Sequence, residues 1–464
     1  MIRDRYEPLC LFALVPQLRL AFEPELAELD RLLDDDALFQ AVKAEMARRA
    51  PRSLTRGRRS TPVEVVLRML VVRRLYDRSY AATERCVGDS LVLRQFCRLA
   101  LEPAPDDTAL IRWAGLVRPA TLEALHERVV ARARGLKVTR GRKLRTDGTV
   151  VETAVHYPRD STLLADGVRV LSRVVRRAKA LVGDAVAATA GLFRDRARGA
   201  KRLARHVAET ARQRGEAAAA ARRATYGRLL AVARASLRQA AAVRARLAAT
   251  TGRASQRLGR QLDRFAPLVE RVVAQATRRV LRGEAVPAHE KVVSLFEPHT
   301  AVIRRGKAGH PTEFGRAVWL DEVDGGIVSG CRVLAGNPPD DSQLGPSLLR
   351  HRRLFGQPPR VVAGDRGVHS PANERIAQEM GVARVALPKP GHTTPDRRRY
   401  ERQRWFRRAM RFRAGQEGRI SVLKRRGYLG RCRDKGEDGF LRWVGWGVIT
   451  ANLHTVARTV AARA

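Results

Sequence analysis

The chain has 464 residues, with 90 Lys and Arg against 47 Asp and Glu, a formal net charge of +43 and a sequence pI near 11.5. No stretch approaches the ~18 uninterrupted apolar residues of a membrane span, and the apolar run at residues 9–15, flanked by Asp4 and Glu7, is too short and too acidic for a secretory signal. A membrane or exported protein is therefore excluded as a reading; the expectation is a cytoplasmic, nucleoid-associated chain whose self-repulsion is relieved by a polyanion, with nucleic-acid phosphate as the obvious candidate.

The length suits two to four domains, and a hydrophobic content of 44% allows a real core. The five cysteines, Cys10, Cys86, Cys97, Cys331 and Cys432, are scattered without a close CxxC or His pairing and read as reduced thiols. From residue 1 to about 135 the pattern is helical. Thr61, Pro62 and Glu64 read as a capping box with proline at the first helical position, followed by Val65, Val66, Met69, Leu70 and Val72 at helical spacing and closed by Arg73 and Arg74. Further helices are predicted after Ser79 and after Asp107. These basic helices suit a helix-turn-helix module or a dimerisation bundle equally.

At Lys143 the character changes, with Leu144, Thr146, Thr149, Val150, Val151 and Thr153 surrounding Asp147 and Gly148 as in a strand or hairpin. Ala and Arg then dominate to about residue 290. Tyr226, Leu230, Ala233, Leu237, Ala240, Val243 and Leu247 step by three or four, as in a helix packed on another helix. This basic helical insertion either grips DNA or a partner subunit, or is a solvated arm. Strands return at residues 292–295, 316–321 and 326–334, the last two joined by an Asp324-Gly325-Gly326 turn. A helix at 347–355, a buried strand at Val361, Val362 and Ala363 ending near Asp365, a helix at 372–380 and a strand at 382–387 follow. The whole is read as an α/β (α+β) fold: a mixed sheet flanked by helices, with an N-terminal all-α domain at 1–140, a catalytic domain at 141–440 interrupted by the insertion at about 161–290, and a C-terminal helix at 441–464.

Asp147 and Asp365 each stand where an apolar strand-like run meets glycine, and Glu417 stands on a predicted helix between Arg413 and Lys424 at helical spacing. Three carboxylates offer hard oxygen ligands. Mg²⁺ takes only one or two carboxylates per ion, so three acids can seat two ions, the arrangement that clamps the attacking and leaving oxygens of a phosphodiester. Arg413 and Lys424 would then meet phosphate oxygens; the plainer reading is a surface ion pair worth under ~1 kcal/mol. Asp160, Asp166, Asp321, Glu322 and Asp324 compete as acids near strands, with Asp324 assigned to its turn and Asp160 to a helix cap. His156, His310 and His369 read as structural, and Trp405 and Phe406 as core.

The spacing Arg413, three residues, Glu417, six residues, Lys424 resembles the Y(2)R(3)E(6)K signature of the DDE transposases of bacterial insertion sequences, with Met410 in the tyrosine position. Arg145-Thr146-Asp147-Gly148-Thr149 and Gly364-Asp365-Arg366-Gly367 look like that group's first and second acidic motifs; Pro158-Arg159-Asp160-Ser161 and Trp443-Val444-Gly445-Trp446-Gly447 also resemble it. The resemblance implies a ribonuclease H-like core, Asp147, Asp365 and Glu417 as ligands of two Mg²⁺ ions that Mn²⁺ can replace, and Arg413 and Lys424 on DNA. It further implies cleavage at element ends and strand transfer into target DNA, on double-stranded substrates carrying terminal inverted repeats, by a homodimer or larger assembly formed on DNA. A non-enzymatic DNA-coating protein and a stand-alone metal-dependent nuclease of the same fold are the competing functions.

Overall fold

The computed structural model describes residues 1–6, 21–48, 51–56, 60–99, 101–182, 194–304 and 312–464; Cys10, the apolar run at 9–15 and His310 lie outside them. Two units form, Met1–Glu152 together with Arg316–Ala464, and Thr153–Gly315. The first unit begins with helices α1 (Pro24–Leu33), α2 (Asp36–Arg48), α3 (Val63–Leu75), α4 (Tyr80–Asp89), α5 (Leu91–Phe96), α6 (Asp107–Leu116) and α7 (Pro119–Gly135), then strand β1 (Lys143–Glu152). The second unit holds α8 (Asp160–Val182), α9 (Ala197–Glu209), α10 (Glu216–Ala248), α11 (Arg253–Ala276) and β2 (Ala301–Arg304), which pairs antiparallel with the first residues of β3 (Thr312–Val323). Back in the first unit come β4 (Ile327–Val333), α12 (Leu344–Phe355), β5 (Val361–Ala363), α13 (Pro371–Glu379), β6 (Arg384–Ala386), α14 (Pro395–Glu401), α15 (Arg404–Arg425) and α16 (Gly436–Ala461). Among the described residues no helix is long and apolar enough to cross a membrane.

The expected α+β class is observed: one mixed sheet flanked by helices. β1 lies between β3 and β5; β4 runs antiparallel on β3, while β1, β5 and β6 are parallel, with Leu144 opposite Val362 and Val362 opposite Val385. Side chains alternate across β1, so Leu144 and Thr146 are buried on one face while Arg145 and Asp147 point to the other. Leu144, Trp319, Val362 and Val385 join a core with the N-terminal helices and α16. Val318, Leu320 and Val328 face Leu423, Phe440 and Trp443 in another, and Ala363 and Ala386 face Phe406 and Ala409 of α15. β4 is bulged where Asp321 opposes Gly330 but Glu322 opposes Val328.

Helix α3 is buried from Val63 to Arg74, its charged residues included. Its cap differs from the expected box: Pro62 is the N-cap and no side chain caps it. Glu64 is drawn inward instead, 3.3 Å from Arg68, whose fully buried guanidinium also binds Asp30 and Asp34 at 2.6 Å each and the Phe96 carbonyl at 3.1 Å. Arg73 and Arg74 do not end the helix on its surface. Arg73 pairs with Asp434 at 2.7 Å, and Arg74 lies 3.6 Å from the Trp443 ring centroid and donates to the Gly427 and Tyr428 carbonyls. With burial as the leading cause and the Arg73 charge adding to it, Arg74 is pushed down to about 9. Gly447 on α16 leaves the room for this, since a Cβ there would collide with the Tyr428 carbonyl and crowd the Arg74 guanidinium. The helices after Ser79 and near Asp107 start as expected, with the Ser79 hydroxyl and the Asp106 carboxylate as caps.

Residues 292–295 do not form a strand. In the second unit the Gln275 side chain takes the place of a strand neighbour: its Oε1 accepts from Val292 N at 2.9 Å and its Nε2 donates to the Val292 carbonyl at 3.4 Å. That leaves Val292 and Leu295 free to pack into the core of the helical insertion. Nor is Asp160 a cap. It is the first residue of α8, and its buried carboxylate accepts from Gln275 Nε2 and from Arg279 Nη1, each at 2.7 Å.

The outer edge of β4 is closed by side chains. Asn452 of α16 bonds both the N–H and the carbonyl of Val328, and His126 Nε2 of α7 donates to the same carbonyl at 2.7 Å while its Nδ1 accepts from Arg350. Both ring nitrogens are thus committed in the neutral form. Burial, reinforced by the Arg350 charge, pushes His126 down to about 4 from 6.5. A histidine whose folded pKa is lowered binds its proton more readily unfolded, so stability is complete above pH 6.5 and is lost as pH falls towards 4. From these values the His126 contribution falls by about 2 kcal/mol between pH 7 and pH 5. His126→Gln is expected to be less stable at pH 7 yet to show a flatter pH dependence over that interval in urea unfolding; an unchanged slope would place the titration elsewhere.

Candidate active site

Three elements of the first unit meet at the sequence-predicted residues. Asp147 lies on the face of β1 that also carries Arg145, two residues earlier, and its Oδ1 accepts the Gly148 N–H at 2.8 Å. Asp365 follows β5 after Gly364, and its Oδ1 accepts the Val368 N–H at 3.1 Å and caps a short 3₁₀ turn over Arg366–Val368. That turn is tight. A Cβ at Gly364 would lie 2.9 Å from Leu387 and 3.0 Å from Val368, and one at Gly367 would lie 3.3 Å from the Asp365 carboxylate and 3.4 Å from that of Asp340. Glu417 is on α15, one turn beyond Arg413.

Arg413 gathers all three acids. Its Nη2 lies 3.2 Å from Asp147 and 3.9 Å from Asp365, and its Nη1 lies 2.8 Å from Glu417. The exposed Arg413–Glu417 ion pair of the helix forms, but the same guanidinium also reaches inward to acids of the sheet: side-chain exposure is 16% for Arg413 and 15% for Asp147, rising to 35% for Asp365 and 69% for Glu417. The acids form a graded wall, with Glu417 at the solvent rim. Among the described residues no three His, Cys, Asp or Glu side chains stand as a ready-made metal cluster. As placed, the three carboxylates share a guanidinium. Lys424 is partly buried two turns beyond Glu417 on the same helix. Met410, in the place of the signature tyrosine, packs with Val361, Tyr400 and Trp405 against Ala363 and Phe406, so this position serves the core between α15 and the sheet.

A second arginine holds α15 in place. Arg145 grips Glu322 of β3 with two bonds, Nη2 at 2.7 Å and Nε at 3.2 Å, donates its Nη1 to the Phe412 carbonyl and lies 4.7 Å from the Phe412 ring centroid. Gly415 makes this possible, because a Cβ there would collide with the Arg145 guanidinium. Arg145 thus fixes the backbone next to Arg413, and with it the position of the guanidinium among the acids. The bidentate geometry is one that lysine cannot copy.

The competing acids are occupied elsewhere. Asp321 is buried under Trp319 Nε1 at 3.1 Å and Arg332 at 3.4 Å, and Asp324 accepts from the backbone of Arg140 and Lys143 at 2.9 and 3.1 Å, which ties down the turn before β1. In the second unit, Asp166 pairs with Arg169 on its own helix and Asp160 is enclosed as described. His369 lies 3.6 Å from Glu374, and Trp405 packs edge-on against Tyr400 and Phe406. Two features had no reading from sequence. The Arg145–Glu322 clamp is one; the period-2 relation of Arg145 to Asp147 was its only trace. Asp340, brought close to Asp365 across Gly367, is the other, and Asn373 pins both loops by donating to the Asp341 and Val368 carbonyls at 2.7 Å each.

Residues 15–115 match the family model described as Transposase domain (DUF772), which supports a transposase family for the chain. No curated protein and no solved structure matches it.

Glu322 is nearly inaccessible, and burial, as the leading cause, raises its carboxyl pKa against the opposing pull of Arg145. Arg145→Met would leave that carboxylate buried and unpaired, a loss of about 3 kcal/mol at pH 7. A carboxyl with a raised folded pKa favours folding at low pH and loses that contribution as pH rises through the ordinary carboxylate range and above. The defect measured by chemical unfolding is therefore expected to shrink towards pH 4, and Arg145→Met with Glu322→Gln is expected to recover part of it. A defect of equal size at both pH values would rule out the buried charge as its cause.

Proposed function

We propose that the chain is a DDE transposase of the bacterial insertion-sequence type, cutting at the ends of a mobile element and joining those ends to target DNA. One observation carries this reading: Asp147 from a strand, Asp365 from the end of the parallel strand beside it and Glu417 from a helix across them converge on one guanidinium. The transposase-domain match over residues 15–115 and the mixed sheet support it, the latter as a ribonuclease H-like core.

The donor set suits a hard divalent ion, since it consists of carboxylate oxygens on rigid elements. Asp147, Asp365 and Glu417 would hold Mg²⁺, or Mn²⁺ in its place. When bound, the ions supply Lewis-acid activation of the attacking oxygen and stabilisation of the leaving one. The residues of the chain do the rest. Arg413, released from the acids, binds a phosphate oxygen, and Lys424 adds a second cation along the same helix. The Arg145 clamp keeps α15 aligned with β1, while the exposed Gly367 puts no side chain over the Asp365 carboxylate, which leaves it open to the DNA backbone. The 3′-hydroxyl of the cleaved end attacks a target phosphorus in line. The new P–O bond forms as the bond to the target's 3′-oxygen breaks, with no covalent enzyme intermediate. Joining two ends to one target calls for a dimer or larger assembly on the DNA.

The test is a strand-transfer assay with duplexes taken from the DNA that flanks the gene, supplied with a precleaved 3′-hydroxyl end in Mg²⁺ or Mn²⁺. The wild-type chain is expected to join them. Asp147→Ala, Asp365→Ala and Glu417→Ala should bind the ends yet lose joining by at least on the order of 10²-fold, the scale on which removal of one electrostatic element of a site acts. Joining at the wild-type rate by any of the three would overturn the assignment. Cutting without joining by the wild-type chain would make it a nuclease.

A further inference from the structure

Helix α9 of the second unit carries Arg198, Lys201, Arg202 and Arg205, a spacing that sets all four on one face, and all four are exposed. The opposite face, with Ala200, Ala204 and Val207, is buried, and Ala200 and Ala204 sit in the core of the helical insertion. The helix cannot turn its cations elsewhere without exposing that apolar face. Among the described residues no carboxylate pairs with any of the four; the nearby Asp195 turns to Arg176 instead, at 3.8 Å. The start of the helix intensifies the charge. Arg196 donates to two neutral acceptors, the Gln239 side-chain oxygen and the Arg194 carbonyl, and burial, with the charges of Arg194 and Arg238 behind it, lowers its pKa.

Like charges three and four residues apart oppose an isolated helix. In the first unit, by contrast, Arg68 is enclosed by Asp30, Asp34 and Glu64, and Arg145 is paired with Glu322. A cationic row left without internal partners is complementary to an external polyanion. The four side chains span about 10 Å along the axis, which matches about three successive phosphates of one strand at ~3.4 Å of duplex axis each. Proteins that hold single strands place aromatic rings between their cations for bases to stack on, and α9 has no Phe, Tyr or Trp.

We propose that the exposed face of α9 is a second DNA-binding surface, one that holds the phosphate backbone of double-stranded DNA without reading its sequence. It rests on the DNA-acting function proposed above but not on the three acids. The experiment measures binding of the full chain to a random-sequence DNA duplex by fluorescence anisotropy across salt concentrations. In the variant with Arg198, Lys201, Arg202 and Arg205 all changed to Gln, a good helix former, the plot of log affinity against log salt should become shallower by about three. Affinity near 0.1 M salt should fall on the order of 10²- to 10³-fold. Arg198→Lys, Arg202→Lys and Arg205→Lys combined should keep the wild-type slope. An unchanged slope in the Gln variant overturns the proposal, as does a Lys variant that loses binding equally, since the effect would then not be charge. A wild-type preference for single-stranded DNA or duplex RNA that the Gln variant abolishes overturns the assignment to duplex DNA. Failure of the wild-type chain to bind any DNA would overturn the proposed function itself.

Discussion

The site depends on one guanidinium being held among three carboxylates. Without Arg413, two partly buried acids, Asp147 and Asp365, would stand close together with no cation between them to offset their repulsion. With it, β1, β5 and α15 are drawn to one point by hydrogen bonds of 2.8 Å to Glu417 and 3.2 Å to Asp147 and by an ion pair with Asp365 at 3.9 Å. The gradient of exposure gives the cluster a direction, because Glu417 at the rim is the acid most free to move and Asp147 the least. One guanidinium only partly neutralises three carboxylates, so the site stays net negative before any partner arrives. In the proposed function divalent cations would take over the carboxylates, and the guanidinium would pass to the phosphate oxygens of the DNA.

That arrangement stands on packing laid down far away in sequence. Arg145 anchors α15 through Glu322 on β3 and the Phe412 carbonyl. Behind the sheet, α3 is so fully enclosed that its arginines are internal connectors, Arg68 to the acids of the α1 segment and Arg73 and Arg74 to the segment leading into α16. The N-terminal helices are thereby part of the same unit as the acids. The matched transposase-domain region, residues 15–115, covers those helices and not the acidic cluster, so the family signal and the candidate chemistry come from separate stretches of one unit.

Much of the fold was legible wherever a local pattern decides it. Alternating β-branched residues around Asp147 marked β1, the run at Val361, Val362 and Ala363 marked β5, and Ser79 marked a helix start. The pairing of Arg413 with Glu417 followed from helical spacing alone. What was not legible is what long-range partners decide. Glu64 has the sequence context of a capping residue but is taken by Arg68, Asp160 looks like a cap but is enclosed by Gln275 and Arg279, and residues 292–295 look like a strand but find a glutamine side chain in place of a neighbour. Asp160 and residues 292–295 met partners distant in sequence, which no period within a short window records, while Glu64 is drawn in by Arg68 one turn on because that guanidinium is itself held by the distant Asp30 and Asp34. The meeting of Arg413 with all three acids belongs to the same class; the spacing predicted one contact, and the fold supplied the others.

The central claim is that these acids form a divalent-cation site from which Arg413 withdraws. The most direct measurement is a titration of free Mn²⁺ by electron paramagnetic resonance with the intact protein. Saturable binding that Mg²⁺ displaces, weakened about tenfold or more in Asp147→Asn and Asp365→Asn and strengthened in Arg413→Gln, is the predicted result. Equal Mn²⁺ affinity in the wild-type chain and in all three variants would contradict it.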